Sequence, residues 1–218
     1  MQQLLIFGIS DTAAQVVLEA ESDGRYEVVG FVAAAAAPAQ TFLGRPVFDP
    51  GTAQQQFDRR SIVVFACGDA RYLNQDRLAA YIAAKGGGYK VASIVSGSAV
   101  IAQDVRIREN VFVGANVRIH AGCSIGANVW ILNGASLGVG SRVGSSSWIG
   151  EGCILGDRSA VGRNCTFAHG VSVRAGVSVG PWSAINRGIV LDVSYSMPRF
   201  IDPRFRAEVV IRGGPEQR

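Results

Sequence analysis

Residues 111–131 read VFVGANVRIHAGCSIGANVWI, and one six-residue pattern runs through the whole stretch. An apolar residue recurs at every sixth position, a small or apolar residue follows four positions later, and Gly or Asn often stands between them. The apolar series extends in both directions over sixteen consecutive positions without a polar residue. Its members are Ile101, Ile107, Val113, Ile119, Ile125, Ile131, Leu137, Val143, Ile149, Leu155, Val161, Phe167, Val173, Val179, Ile185 and Leu191.

This period predicts a triangular solenoid. Each hexad forms one short strand and one tight corner, so that three hexads complete a coil of about 18 residues. Successive coils stack as parallel strands about 4.8 Å apart. The apolar residue points into a narrow prism, and the small position also turns inward, which makes Cys123, Cys153 and Cys165 packing residues and not nucleophiles. Gly and Asn suit the corners, because a positive φ is least costly for them.

The N-terminal half has a different pattern, in which apolar strands alternate with helical segments. The predicted strands are 3–8, 27–32 and 61–66, the predicted helices are 13–21 and 76–85, and a last extended segment is 89–95. This alternation is typical of βαβ units with a parallel sheet. The sequence therefore predicts a small Rossmann-like α/β domain before the solenoid.

The composition excludes several classes of protein. With 48% hydrophobic and 17% charged residues, the chain is expected to fold and not to be disordered. The net charge of +4 is mild, and no basic run interleaved with aromatic residues indicates nucleic-acid binding. Neither a membrane-spanning segment nor a secretory leader is expected. Four cysteines without CxxC spacing favour reduced thiols in a cytoplasmic protein, with no metal site.

The pattern VxVGANVxI…CxIGANV resembles the hexapeptide-repeat acyltransferases. Together with the α/β half, it is similar to the sugar acyltransferases that make bacillosamine, perosamine and O-acetylated sialic acid. The resemblance implies a Rossmann-like domain over 1–97, a left-handed parallel β-helix over 98–194, and a tail with a closing strand over 195–218. It also implies a homotrimer that transfers an acyl group, with acetyl the leading candidate, from acyl-CoA to a sugar amine or hydroxyl.

The resemblance also indicates where the catalytic groups would lie. The family's general base, a histidine, falls at Val139, and its second histidine falls near Trp148. Valine cannot accept a proton, so another residue must replace the base if the chain is an enzyme. The candidates by hexad register are His120, one coil away, and Asp157, one coil above Val139. The alternative is that both are solvent-exposed corner residues without a catalytic role.

Two further sets of residues follow from the resemblance as binding candidates. The acyl donor would contact Trp148, His169 and Gly188, whereas His169 could equally be a solvated corner residue. The acceptor would lie at the turn after the first strand and at the end of the third, on Gly8, Ser10, Asp11, Thr12 and Gly68.

The acceptor site departs from the family in its nucleotide-recognition residues. Backbone N–H groups at the start of the first helix can hold a phosphate, although Asp11 would repel one. The family's paired aspartates, which read uracil, are replaced by Ala33 and Ala34. Because their side chains form no hydrogen bonds, a UDP-sugar is not expected to be the acceptor.

An aromatic column is the least expected feature of the repeat. Phe112, Trp130 and Trp148 are eighteen residues apart and are predicted to stack at one outward position. Exposed indoles require a cover, either a neighbouring subunit of a trimer or a flat ligand. After the repeat, Arg199, Arg204 and Arg206 could serve the 3′-phosphate of CoA or form a solvated edge, before a closing strand near 208–211.

Two functions therefore remain open from the sequence. The first is an acyl-CoA-dependent acyltransferase acting on an amino or hydroxy sugar in surface polysaccharide or glycan synthesis. The second is a non-catalytic trimeric binding or scaffold protein that kept the solenoid and lost the base.

Overall fold

The computed structural model describes residues 1–22, 24–33, 41–68, 75–205 and 207–210. The chain divides into two compact units, Met1–Gly97 and Ser98–Arg218. None of the helices in the described ranges has the length and apolar character needed to span a bilayer. The same ranges contain no group of three or more His, Cys, Asp or Glu side chains placed to hold a metal ion.

The first unit is an α/β domain, as predicted, and its described residues form three helices and one sheet. Its elements in chain order are β1 (Gln2–Phe7), α1 (Ala13–Ser22), β2 (Tyr26–Val32), β3 (Thr41–Phe42), β4 (Arg45–Phe48), α2 (Pro50–Gln56), β5 (Val63–Ala66), α3 (Gln75–Gly86) and β6 (Lys90–Val91). The sheet order is β3-β4-β2-β1-β5-β6, and only the β3–β4 pair is antiparallel. Strand β5 is buried along its whole length, which is typical of a parallel sheet covered on both faces.

The hairpin β3–β4 and the helix α2 were not predicted. Leu43 and Gly44 both adopt positive φ, 49° and 72°, as a two-residue hairpin turn requires, but leucine is not a turn signal. Helix α2 does carry a readable start signal. The Asp49 carboxylate accepts hydrogen bonds from the backbone N–H groups of Gly51 and Thr52, and Pro50 follows the cap.

The second unit is a left-handed parallel β-helix of two-residue strands that recur every six residues, as the hexad pattern predicts. A first short strand, β7 (Ile94–Val95), precedes the unit boundary. The strands that follow are β8 (Val100–Ile101), β9 (Arg106–Ile107), β10 (Phe112–Val113), β11 (Arg118–Ile119), β12 (Ser124–Ile125), β13 (Trp130–Ile131), β14 (Ser136–Leu137), β15 (Arg142–Val143), β16 (Trp148–Ile149), β17 (Ile154–Leu155), β18 (Ala160–Val161), β19 (Thr166–Phe167), β20 (Ser172–Val173), β21 (Ser178–Val179), β22 (Ala184–Ile185) and β23 (Val190–Leu191).

These strands form the three sides of the prism. The first sheet contains β7, β10, β13, β16, β19 and β22, the second contains β8, β11, β14, β17, β20 and β23, and the third contains β9, β12, β15, β18 and β21. Each strand pairs in parallel with the strand eighteen residues later, as Ile119 pairs with Leu137 and Leu137 with Leu155. The apolar series therefore forms three stacked inward columns, which confirms the predicted coil.

The corners of the prism are columns of residues in the left-handed conformation, with φ between 54° and 73°. The three columns are Asn110, Asn128, Ser146, Asn164 and Trp182; Asn116, Gly134, Gly152 and Gly170; and Gly122, Gly140, Arg158 and Gly176. The predicted use of Gly and Asn at corners is confirmed. The first column also forms a buried ladder, because Asn110 Nδ2 donates to Asn128 Oδ1 at 2.8 Å and Asn128 Nδ2 donates to Ser146 Oγ at 3.1 Å.

The three cysteines of the solenoid are buried and not disulfide-bonded, as predicted for packing residues. Burial raises the pKa of the Cys153 thiol to about 11 and that of the Cys165 thiol to about 12. Thiolates are the nucleophilic form of cysteine, so these two groups are unreactive near neutral pH.

The aromatic column is stacked, as predicted, but the prediction that these rings are exposed and need an external cover is wrong. Phe112 and Trp130 are 0% exposed, and Trp148 is 6% exposed, in a single copy of the chain. The ring centroids lie 4.7 Å and 5.1 Å apart, and the two indole planes differ by only 9°. Since the chain itself buries these rings, they need no partner subunit to cover them.

The tail after the repeat extends the first sheet. Strand β24 (Arg199–Ile201) pairs in parallel with β22, and β25 (Val209–Val210) pairs antiparallel with β24. The Arg204 guanidinium donates two hydrogen bonds to the Asp202 carboxylate and, with Asn186, holds its pKa well below the usual range. Arg199 pairs with Glu208 at 2.7 Å, so these two predicted CoA-phosphate arginines both have acidic partners. Arg206 and residue 211 lie outside the described residues.

We predict that Gly144→Ala destabilises the solenoid. An added Cβ would lie 2.5 Å from the Arg163 amide nitrogen and 2.6 Å from the Gly162 carbonyl carbon, both of them backbone atoms of the next coil. Overpacking of this kind typically costs about 1–3 kcal/mol. The matched control is Gly97→Ala, where the added Cβ meets nothing within 4 Å. Urea unfolding of both variants measures the difference; equal midpoints would contradict the packing of these two coils.

We also predict that Trp130→Ala lowers stability by about 3–5 kcal/mol without changing the oligomeric mass. The reason is that Trp130 is core of the single chain and not part of a contact between copies. Leu18→Ala, at a side chain 67% exposed, serves as the control and should change stability by less than about 0.5 kcal/mol. Thermal unfolding measures stability, and light scattering measures the oligomeric mass. A lower mass with unchanged thermal unfolding would contradict this prediction and place the aromatic column in a contact between copies.

Candidate functional site

The first candidate site lies in the α/β unit, at the carboxyl ends of β1 and β5. Strand β1 lies between β2 and β5, so the chain leaves it towards one side and later returns on the other. Ligands of open α/β sheets bind at such a switch point, outside the carboxyl ends of the strands. The predicted residues Gly8, Ser10 and Thr12 follow β1, and Gly68 lies two residues after β5 ends.

Glycine is required just after the ends of both β1 and β5. A Cβ on Gly8 would lie 2.2 Å from the carbonyl oxygen of Cys67, and its φ of 107° is unfavourable for other residues. A Cβ on Gly68 would lie 2.8 Å from the Arg77 amide nitrogen, at the start of α3. The turn after β1, the end of β5 and the first turn of α3 therefore approach one another closely at these two glycines.

Three polar side chains meet in this turn. The Ser10 hydroxyl lies 2.9 Å from the Thr12 hydroxyl and 3.2 Å from the Cys67 sulfur, and Thr12 Oγ1 lies 3.5 Å from the same sulfur. Ser10 and Thr12 are therefore brought together as predicted. Asp11 is exposed. Sequence analysis missed Cys67, because nothing in the chain indicates a contact across 55 residues.

Arg77 is the second residue that sequence analysis missed. Its side chain is fully buried, and this loss of hydration lowers the pKa of the guanidinium to about 9, while the nearby Cys67 thiol acts in the opposite direction. The guanidinium stays protonated near neutral pH and adds a positive charge beside the turn. An arginine in a predicted helix is normally exposed, so the sequence carries no signal for its burial.

The second candidate site is the corner between the second and third sheets at Val139. Val139 is 46% exposed. The backbone N–H of Val139 donates a 2.9 Å hydrogen bond to Asp157 Oδ1, one coil above. A Cβ on Gly138 would meet the same oxygen at 2.5 Å, so the carboxylate lies directly over this backbone. Asp157 therefore holds the corner, and one of its oxygens already has a partner.

The two histidines lie at different edges of the prism. His120 is exposed at the end of β11, and its backbone N–H donates to the Leu137 carbonyl oxygen at 3.0 Å, which places it beside the Val139 corner as predicted. His169 is exposed at the corner between the first and second sheets. A Cβ on Gly188 would lie 3.3 Å from the His169 carbonyl oxygen, so these two donor-binding candidates are neighbours.

Trp148 belongs to the first sheet, on strand β16, one coil below β19. At 6% exposure it offers a ligand an edge and not an open stacking face. The donor-binding role predicted for Trp148 therefore stays a prediction, without the exposed surface on which it relied.

Comparison with solved structures identifies proteins with this two-part architecture. The acetyltransferase domain of PglB from Neisseria gonorrhoeae superposes with a TM-score of 0.79 at 17% identity, over 93% of this chain and 98% of that one. A mutant of perosamine N-acetyltransferase from Caulobacter crescentus, in complex with CoA and GDP-perosamine, gives a TM-score of 0.59 at 24% identity over 98% of both chains. The chain has the fold of the hexapeptide-repeat sugar acetyltransferases.

Further comparisons agree on the fold. WeeI from Acinetobacter baumannii gives a TM-score of 0.52 at 13% identity, over 97% of this chain and 100% of that one. Residues 90–195 match the sequence family described as the GMPPB C-terminal domain. No curated protein matches the sequence. The predicted resemblance is thus confirmed at the level of architecture.

Proposed function

We propose that this protein is an acyl-CoA-dependent acyltransferase, with acetyl-CoA as donor, that acylates an amino or hydroxy sugar in the cytoplasm for surface polysaccharide or glycan synthesis. The observation that carries the proposal is that the fold similarity covers both units and not the solenoid alone. Two of the similar proteins are acetyltransferases, and one of these was solved with CoA and a nucleotide-linked sugar. A solenoid without the α/β unit would not favour a sugar acceptor in this way.

The proposed reaction is direct acyl transfer. The sugar amine or hydroxyl attacks the thioester carbonyl, the carbon–sulfur bond breaks, and CoA leaves as its thiol after taking up a proton. The nucleophile must lose a proton, and His120 is the first candidate to accept it, since histidine is the side chain that most often serves as a general base. Asp157 is second, because one oxygen of its carboxylate already accepts the Val139 N–H.

The proposed site requires a second copy of the chain. His120 and Asp157 lie at the edge between the second and third sheets, whereas His169 and Gly188 lie at the edge between the first and second. A bound acyl donor and acceptor contact both sets of residues most simply at a contact between two copies. There the edge between the second and third sheets of one solenoid would face the edge between the first and second sheets of the other. The second sheet supports such a contact, because Val100, Ile154 and Val190 share one outward column and are 66%, 53% and 57% exposed.

The proposed acceptor site is the turn of the α/β unit. Ser10, Thr12 and Gly68 would hold the phosphates of a nucleotide-linked sugar through backbone N–H groups and hydroxyls, with Gly8 allowing the close approach of the two strand ends, and the buried charge of Arg77 would favour an anion there. The Ala33 side chain offers no hydrogen bond to a uracil edge, and Ala34 lies outside the described residues. A nucleotide other than UDP is therefore proposed.

The alternative function is a non-catalytic trimeric binding or scaffold protein. It is favoured by Val139, since an apolar side chain occupies the corner at which the resemblance places the general base. It is also favoured by the hydrogen bond that gives Asp157 a structural role.

The catalytic test compares two acidic corner residues and one histidine. His120→Ala should lower kcat by about 10²–10⁴ with little change in acyl-CoA affinity, because the imidazole would act in proton transfer. Asp104→Asn is the matched control for Asp157→Asn, since Asp104 Oδ2 accepts the Gly122 N–H at 2.8 Å in an equivalent corner. Thiol release from acetyl-CoA, with GDP- and UDP-linked amino sugars as acceptors, is the assay.

The outcomes separate the two functions. If the wild type binds acyl-CoA but releases no thiol with any acceptor, the scaffold function replaces the enzyme. If His120→Ala and Asp157→Asn each change the rate by less than about threefold, transfer proceeds by positioning of the substrates alone. Equal losses in Asp104→Asn and Asp157→Asn would assign Asp157 to the corner and not to catalysis.

The assembly test targets the exposed column of the second sheet. Light scattering should give three times the 23.0 kDa chain mass for the wild type. Ile154→Glu should shift the mass towards the monomer while leaving the fold intact, because the side chain is exposed in the single chain and a buried charge opposes association. A monomeric wild type at micromolar concentration would overturn the proposed shared site.

A further inference from the structure

The outer face of the third sheet contains a groove that runs along the solenoid axis. The groove has a volume of about 550 Å³ and reaches from β9 to β21. Four steps between five parallel strands correspond to a length of roughly 19 Å. Ligand sites are usually concave spaces of roughly 300–1,000 Å³, so the groove has the size of a small-molecule site and lies entirely within the second unit.

The groove follows one outward column of the third sheet, which contains small residues as well as arginines. Ser124, Ala160 and Ser178 occupy the outward column, and glycines follow the inward residues of the same strands. Those glycines are imposed by the coil, as Gly126 shows, where a Cβ would lie 2.5 Å from the Ser145 amide nitrogen. The groove is therefore a consequence of tight stacking, and its chemistry is decided by the longer side chains of the outward column.

Two arginines supply the charge of this column. Arg106 and Arg142 lie in one outward column, two coils apart, with Ser124 between them, and Arg108 lines the same groove. No acidic side chain lines the groove among the described residues. Neither Arg106 nor Arg142 forms an ion pair or a side-chain hydrogen bond with any residue that the structure describes. The two guanidinium groups are thus available to an external anion.

We propose that this groove, with Arg106, Ser124 and Arg142 as its centre, binds the diphosphate group of a phosphorylated ligand. Arg106 and Arg142 lie roughly 10 Å apart along the column, and their long side chains can approach one anion placed over Ser124. The planar guanidinium fork matches phosphate oxygens bidentately, and the serine hydroxyl donates a further hydrogen bond. The two positive charges of Arg106 and Arg142 suit a diphosphate better than a single carboxylate. The site does not depend on the proposed acyl transfer.

The first experiment titrates the full-length protein with inorganic pyrophosphate by calorimetry at constant ionic strength. One saturable site per chain is expected, and Arg106→Gln and Arg142→Gln should each weaken binding at least tenfold. The matched control is Arg118→Gln, because Arg118 is an exposed arginine at the same strand position on the second sheet, outside the groove. Its affinity should stay within twofold of the wild type. All three side chains are exposed, so thermal unfolding should be unchanged.

Two results would overturn the proposal. One is the absence of saturable pyrophosphate binding by the wild type, and the other is an equal loss in Arg118→Gln, which would indicate non-specific attraction to a basic surface. Titration of the same variants with CoA and with a GDP-linked sugar then identifies the source of the diphosphate. Weaker CoA binding by Arg142→Gln supports a donor site, and weaker GDP-sugar binding supports an acceptor site. Unchanged affinity for both would reject a diphosphate ester as the occupant.

The test also separates this site from the proposed function. Pyrophosphate carries no acyl group, so its binding can fail while thiol release from acetyl-CoA persists. Conversely, a scaffold protein without transferase activity can still bind pyrophosphate in the groove.

Discussion

Strands of the solenoid pair in parallel with those one coil before and one coil after, so residues eighteen apart lie in contact along the whole unit. Each residue is consequently restricted by its neighbours eighteen positions before and after it. The inward residues Ile119, Leu137 and Leu155 form one column, and a larger side chain at any level would press on the levels above and below. The same step turns each corner into a column of left-handed residues, of which Asn110, Asn128 and Ser146 also share hydrogen bonds.

Because of this constraint, the positions that determine the fold differ from the positions that can carry chemical groups. Inward and corner positions are restricted by their neighbours, whereas a side chain that projects from a corner is free to differ. At Val139 the backbone is held by the Asp157 carboxylate, and the side chain itself is about half exposed. A catalytic group could therefore be lost or gained here without disturbing the coil. For this reason the shared architecture establishes the fold, whereas the proposed acyl transfer depends on the residues at the corners.

The α/β unit shows a related constraint at one point. Gly8 and Gly68 allow the ends of two central strands and the start of α3 to approach closely, and the polar groups of Ser10, Thr12 and Cys67 then meet. Arg77 is buried beside them, and burial weakens its hold on the proton without neutralising it. The unit thus offers hydroxyls and one positive charge at the place where α/β sheets bind anionic ligands.

The sequence by itself determined the solenoid, because sixteen apolar positions at a strict period have one packing solution, and it determined the α/β unit from strand and helix alternation. It also placed His120 beside the Val139 corner, since register follows from counting. Only the tertiary structure decided that Phe112, Trp130 and Trp148 are buried, that Cys67 and Arg77 lie at the turn after β1, and that arginines line a groove. The physical reason is that periodicity defines which residues share a face, whereas burial and depth depend on what packs over that face.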